Sequence, residues 1–344
     1  MYLFKIYLTA LLALITLLSG CTHRPISHEE SDQHHANVPE PTGQGSDRTE
    51  GDVFHRADQH IFPRPSSLEP AIAFWRKTYC VWHKSQVAIH DDRHLDVIYE
   101  IMEFSDPVME SLTQNQKDWV SSRKNYWKTR LATLETKMTS GIQPDPDDQK
   151  LLSIFRRAHG NLNALSGASE RVRTQRGTKE RFMRGLEIAE RYDATFRKIF
   201  RDAGLPEDLA YLPHVESSFQ ASARSSAGAV GIWQFTRSAA ERFMPATGAA
   251  DQRLDPIASA RGAARYLGYA YSKLGNWPSA LTSYNHGING MMRAQNQVGH
   301  DFMRIVQIYD SPKFGFASRN YYAEFLAARD IAANRGRFLA SMEH

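Results

Sequence analysis

From about Pro70 to the end of the chain, apolar residues recur three or four positions apart, and this spacing restricts the fold more than any other feature. Leu95, Ile98, Ile101 and Met102 follow it, as do Leu151, Ile154 and Phe155, and no alternating strand pattern of useful length intervenes. The expected class is therefore all-α. Asp106-Pro107 reads as a cap and first helical residue, opening a helical stretch that stops at Gly141. The Pro144-Asp145-Pro146-Asp147 turn separates it from the next helical portion. A long helix is expected from about Thr178 to Ala203, with Phe182, Leu186, Ala189, Tyr192, Phe196 and Ile199 as its apolar stripe. Gly204 stops it and Pro206 opens another.

The beginning of the chain has a different character. Lys5 precedes an apolar run from Ile6 to Leu18, shorter than the roughly 20 residues a membrane-crossing helix needs, so residues 1–20 read as an export signal. Leu18-Ser19-Gly20-Cys21 resembles a bacterial lipobox, which makes Cys21 the lipidated mature N-terminus; an ordinary signal peptide with an incidental Cys is the plainer alternative. Thr22 after it, rather than Asp, resembles lipoproteins sorted to the outer membrane. Only one other cysteine exists, Cys80, expected to pack as a small apolar side chain, so lipidation of Cys21 leaves no intrachain disulfide.

Residues 21–67 hold few large apolar side chains and are expected to form a disordered periplasmic tether. Six histidines lie there (His23, His28, His34, His35, His55, His60) at irregular spacing without a Cys, which suits solvated linker better than a metal site. The charge balance, 42 basic against 38 acidic residues for a net +4, is too mild to argue nucleic-acid binding. It is equally compatible with an anionic polymer.

Chemistry concentrates after Pro206. In the helix expected there, Leu209, Leu212 and Val215 lie towards one side, and Glu216 falls at or beside that buried stripe near the helix end. Desolvation raises a carboxyl pKa, which is how a glutamate stays protonated near neutral pH and serves as an acid. Alone, such a carboxyl is more often paired or structural than catalytic. Gly228-Ala229-Val230-Gly231-Ile232-Trp233-Gln234-Phe235 adds a tight turn, a flat apolar face in Trp233 and an amide in Gln234, although a glycine turn with a core tryptophan fits equally well. A helix starting near Pro278 then delivers Tyr284-Asn285-His286-Gly287.

Glu216-Ser217-Ser218-Phe219, Gly231-Ile232-Trp233-Gln234 and Tyr284-Asn285 resemble, in order, the E-S-x-F, G-L-M-Q and A-Y-N motifs of the soluble-lytic-transglycosylase family, most closely its membrane-bound D group. The resemblance covers about residues 178–335. It implies a lysozyme-like all-α domain over 178–344, preceded by a helical region over 68–177, that cleaves the β-1,4 bond between N-acetylmuramic acid and N-acetylglucosamine. By the same resemblance Glu216 is the single catalytic acid and base, and Ser217 orients it or polarises the lactyl or acetamido side. Gln234 lies near the N-acetyl group, Tyr284 supports the glutamate and the transition state, and Asn285 is a substrate or structural contact. The implied partners are glycan strands and, through the lipid anchor, a membrane; no metal or organic cofactor and no protein partner is indicated.

Glycosidases commonly use two carboxylates, and no second acid stands out in this sequence. A muramic C6 hydroxyl acting as intramolecular nucleophile removes the need for one, with a large entropic advantage over water. A water-using muramidase and a non-cutting wall-binding scaffold are the alternatives. Trp233 and Ser283 depart from the usual Met and Ala, and Ala317-Ser318 stands where many relatives carry Glu-Thr before Arg319-Asn320-Tyr321. That last change removes an expected sugar-positioning carboxylate. Asp251 and Asp255 are candidates for a hydrolase's second acid but read better as turn and cap residues. His286 reads as a turn histidine bonded to backbone, and Trp277, Tyr269 and Tyr271 as core aromatics that could also line a glycan groove.

Overall fold

The computed structural model describes residues 61–245 and 251–336. The export signal, Cys21 and the six N-terminal histidines lie outside them. In chain order, α1 (Glu69–Arg76), with Pro70 in its first turn, runs into a π turn over Lys77–Val81. β1 (Gln86–Asp91) and β2 (Ile98–Glu103) form an antiparallel hairpin in which Val87 faces Met102 and Ala88 faces Ile101. Next come α2 (Gln114–Thr139), α3 (Pro146–Arg157) and β3 (Val172–Arg176), which pairs antiparallel with β1 to give the order β2-β1-β3.

The helical expectation for 68–177 is thus corrected by a small sheet. Central strand β1 is buried on both faces, Ala88 towards one core and Val87 and Ile89 towards another, so it shows no alternation to read. Ile98, Ile101 and Met102 carry helical spacing by coincidence; edge strand β2 is held by its ladder to β1 instead. The helix start expected at Asp106-Pro107 is displaced to Thr113, whose hydroxyl and the Gln116 side chain form a reciprocal capping box. Asp145 and Asp148 do the same for α3, with Pro146 as its first residue, as the turn sequence suggests.

The long helix expected from Thr178 to Ala203 is two, α4 (Lys179–Ala189) and α5 (Asp193–Asp202). Phe182 and Leu186 bury one half, Phe196 and Phe200 the other. On one straight helix, at about 100° per residue, the ten positions from Leu186 to Phe196 would turn the second pair about 80° off the stripe. The break after Ala189 lets both pairs enter one core. Pro206 is followed by a 3-10 turn (Glu207–Tyr211) and the short α6 (Leu212–Glu216). Then come α7 (Arg237–Phe243), α8 (Pro256–Leu274), α9 (Trp277–His286), α10 (Ile288–Val298), α11 (Phe302–Ile308) and α12 (Phe316–Ala333). Asp255 caps α8 and Asn276 caps α9, each accepting from first-turn backbone N–H groups.

Two cores result. One lies beneath the sheet, joining Ile89, Tyr99, Leu131, Leu152 and Phe155. The other gathers Phe74, Trp75 and Tyr79 of the N-terminal part with Phe196, Trp233, Leu267 and Phe325, so no core boundary falls at 177/178. The tether expected to run through residue 67 ends earlier than that. Phe62 is 1% exposed, its ring 5.3 Å from Phe325 and 6.0 Å from Trp277, because its apolar surface gains more from this core than the backbone loses on ordering. Arg64 and Arg76 pair with Asp330 of α12, fastening the same seam.

Candidate active site

Glu216 is the last residue of α6 and keeps a minor part of its surface in solvent. The chain leaves it abruptly: Ser218 and Phe219 adopt left-handed backbone (φ 50° and 58°), a conformation unfavourable by roughly 1–2 kcal/mol for each non-glycine residue. Packing holds them there. Phe219 is buried against His214, 4.6 Å between ring centroids, and a Cβ on Gly185 would come within 2.6 Å of the Ser218 carbonyl, so α4 presses directly on the turn. Burial pushes the Glu216 carboxyl up to about 7, partly offset by the Tyr321 hydroxyl, which donates to its Oε1. At neutral pH it can therefore both give and take a proton.

The Gly231-to-Gln234 loop is fixed beside it by bonds from three sides. Ser217, 1% exposed, donates its hydroxyl to the Ile232 carbonyl at 2.8 Å. Tyr284 of α9 donates to the Trp233 carbonyl at 2.9 Å. Arg253, itself clamped by Asp251 (Nη2 to Oδ2 2.6 Å), donates to the carbonyls of Gly228 at 3.1 Å and Phe235 at 3.3 Å. Gly231 has φ +80°, and a Cβ there would lie 2.2 Å from the Arg253 carbonyl oxygen. Gln234 is also left-handed (φ 49°), its amide nitrogen donating to Gly231 at 2.8 Å and to Ala223 at 3.1 Å. Three strained non-glycine residues thus flank the carboxyl, where local strain commonly marks a working site.

These contacts redistribute the expected roles. Ser217 is a buried stitch between the α6 end and the loop, its hydroxyl engaged by the Ile232 carbonyl. Trp233 is 0% exposed between Phe196 and Phe200, a core tryptophan and no platform for a sugar. Tyr284 lies close enough to the Glu216 charge for its phenol to be pushed further up, after burial, yet its hydrogen bond goes to the loop. The phenol that touches Glu216 is Tyr321 on α12. Asn285 is exposed and accepts from Ser318 at 2.7 Å, joining α9 to α12. Asp251 and Asp255 are committed to Arg253 and to the α8 cap, and His286 Nδ1 lies 3.1 Å from the Lys313 carbonyl. Ala317 is exposed on the first turn of α12.

Besides Tyr321, two neighbours of the site escaped the sequence reading. Glu324, one turn beyond Tyr321 on α12, has its carboxyl pushed up to about 8, first by burial and then by the Glu216 charge. Tyr79, in the π turn after α1, donates to Glu324 Oε2 at 3.3 Å and stacks on Phe182 with centroids 4.6 Å apart. The three-residue spacing of Tyr321 and Glu324 was the available signal for the first. Nothing local marks Tyr79.

Residues 195–304 match the family model described as the transglycosylase SLT domain. The segment that holds Glu216 thus matches an SLT domain. An Alteromonas protein named for tributyltin chloride resistance is 35% identical over 96 residues, 27% of this chain and 46% of that protein. The membrane-bound lytic murein transglycosylase D of Escherichia coli K12 is 29% identical over 180 residues, 49% of this chain and 38% of that protein. The chain therefore spans less than half the length of these relatives. A solved lytic transglycosylase Slt from Pseudomonas aeruginosa is 22% identical with a TM-score of 0.35, covering 42% of this chain and 24% of that one. The SLT match contains Glu216, Ser217, Gln234, Tyr284 and Asn285. Tyr79, Tyr321 and Glu324 lie outside it.

Proposed function

We propose that this chain is a peptidoglycan lytic transglycosylase, cleaving the β-1,4 bond between N-acetylmuramic acid and N-acetylglucosamine with formation of 1,6-anhydromuramic ends. The observation that carries the reading is the Glu216 carboxyl, raised to about 7 by burial and bonded by Tyr321. The SLT domain around it and the similarity to a lytic murein transglycosylase support the substrate class.

Glu216 begins protonated and gives its proton to the glycosidic oxygen, which leaves with the electron pair of the C1–O bond. The acetamido oxygen and the new carboxylate stabilise the oxocarbenium-like C1. The muramic C6 oxygen then bonds to C1 while its proton passes to Glu216, which is restored without any water consumed. Tyr321 favours the carboxylate stage by donating to it. Gln234 is held in the loop beside this carboxyl as the N-acetyl contact, and Asn285 as an exposed contact on the glycan side.

Residues 1–20 as an export signal, Cys21 as the lipid anchor and a tether from there to the folded part complete the reading as an outer-membrane lipoprotein working in the periplasm. The similarity to a relative named as membrane-bound supports the envelope location. Digestion of purified sacculi with the mature chain, followed by mass analysis of the muropeptides, should release anhydro ends. Reducing ends would assign a water-using muramidase, and binding without release a scaffold. Cys21→Ala is expected to move the protein from the membrane to the soluble periplasmic fraction.

A further inference from the structure

Two arginines ahead of the SLT match touch the surroundings of Glu216 from different directions. On β3, Arg173 pairs across the ladder with His90 of β1, so both side chains lie on the sheet face that meets α12. The His90 ring is 5.6 Å from that of Phe316, and the Arg173 guanidinium stacks over the same Phe316 ring at 4.1 Å. Phe316 opens α12 beside exposed Ala317, which lies one turn before Tyr321, on the face from which Tyr321 reaches Glu216. On α4, the element after β3, Arg181 donates through Nη2 to the carbonyl of Ser217, the residue following Glu216, at 3.1 Å. Both arginines are exposed, and among the described residues neither forms an ion pair with a carboxylate.

The acids nearby are committed elsewhere. Asp91 is bound by Arg171 at 2.9 Å, and Glu180, next to Arg181, is held by His83 at 2.8 Å and by the Lys84 amide at 2.9 Å. Asp92 lies 3.9 Å from Arg93, and its charge also acts on Arg173 and Arg319; Asp310 reaches Arg319 only at 4.0 Å. The three guanidinium groups of Arg93, Arg173 and Arg319 thus share two carboxyls, and the start of α12 keeps a positive excess. We propose that Arg173 and Arg181 are substrate contacts that take carboxylates on the 3-O substituent of the muramic residue, either the lactyl carboxylate or those of a peptide attached to it. This inference rests on the transglycosylase reading for the identity of the strand.

An arginine presents its donors in a planar fork that matches a carboxylate, and a guanidinium already stacked on a ring loses little freedom when it binds one. Because both side chains are exposed, each direct pair is modest, and the positive excess around Asp92 adds to it by raising the local concentration of anionic strands. Neither arginine enters the proton transfer: burial and the Tyr321 hydroxyl set the Glu216 carboxyl. Their loss is therefore expected in binding and not in the pH dependence of the chemical step.

The test is kcat and KM of the mature chain on solubilised glycan strands of three kinds. The first carry peptides, the second carry peptides whose carboxyls have been converted to neutral amides with carbodiimide and ammonia, and the third are stripped by an amidase so that the lactyl carboxylate is free. Arg173→Gln and Arg181→Gln should each raise KM on peptide-bearing strands roughly three- to tenfold, with kcat changed less than about twofold and the Glu216 limb in place. Arg173→Lys should recover part of the loss. On amidated strands parent and variants should share one high KM. An effect that persists on stripped strands assigns the lactyl carboxylate, and one that disappears there assigns the peptide carboxylates. Added salt should raise the parent's KM on peptide-bearing strands and leave it unchanged on amidated ones, a measurement that requires no variant to fold. A KM indifferent to both substitutions and to salt, or one that rises equally on amidated strands, overturns the proposal. Absence of anhydro ends from the parent would overturn the transglycosylase reading instead, while cosedimentation of Glu216→Gln, with and without Arg173→Gln, still decides whether the carboxylates are bound.

Discussion

A carboxyl that ionises near pH 7 in the fold and near 4.5 outside it makes stability depend on pH with a definite sign. Between those values the unfolded chain binds fewer protons than the folded one, so the contribution of Glu216 to stability declines as pH rises through this window. Glu216→Gln is accordingly expected to melt higher than the parent at pH 8, by about 1–3 kcal/mol after allowing for partial exposure, and at nearly the same temperature at pH 4. Its cutting of sacculi should fall by roughly 10²–10⁴-fold. Tyr321→Phe removes the hydroxyl that donates to the carboxylate, so the alkaline limb of its activity should move to higher pH while the rate drops about tenfold or more. A limb that stays in place would show that the hydroxyl does not bond Glu216 in solution. The half-buried place of Glu216 at a helix end was legible from the apolar spacing of that helix. Tyr321 was not, because the residue that completes its bond is 105 positions away.

Among the elements, the loop between α6 and α7 sets the site's precision. Gly231→Ala meets both a positive φ and a backbone oxygen 2.2 Å from the new Cβ, so denaturant unfolding should show a loss of about 2–4 kcal/mol, with activity lost alongside. Ser217→Ala separates two roles cleanly. As a buried stitch it should cost about 1 kcal/mol of stability; an increase in KM with stability unchanged would restore the substrate-contact reading. Elements with strong local grammar were readable in advance: the proline-aspartate turn before α3 and the Asp255 cap that opens α8. β1 was not, since a strand covered on both faces carries no alternation, and neither was the break between α4 and α5, which answers to the direction of the core.

Among the described residues, the N-terminal part and the segment from residue 178 onward share one apolar core and one ion-paired seam. A chain beginning at residue 178 leaves the partners of Phe62, Phe74, Trp75 and Tyr79 uncovered and is expected to aggregate or unfold, whereas a chain beginning at residue 61 should fold. Phe62→Ala, at the outer edge of that core, should lower stability by about 3–5 kcal/mol in thermal or denaturant melts. A stable, soluble 178–344 fragment would show the seam to be dispensable.

What the amino-acid order settles alone is whatever is written within a few residues: helix-rich character, caps and turns, the Glu216, Gln234 and Tyr284 motifs, and the change of composition ahead of the folded part. Capping, turn chemistry and helical period act over one or two turns, so a window of that size contains their cause. The partner of the central carboxyl, the pairing of Glu324 with Tyr79, and the buried duty of Ser217 and Trp233 were decided only when distant segments closed on one core. Burial and long-range hydrogen bonding depend on what arrives from elsewhere in the chain, and no local stretch of sequence carries that information.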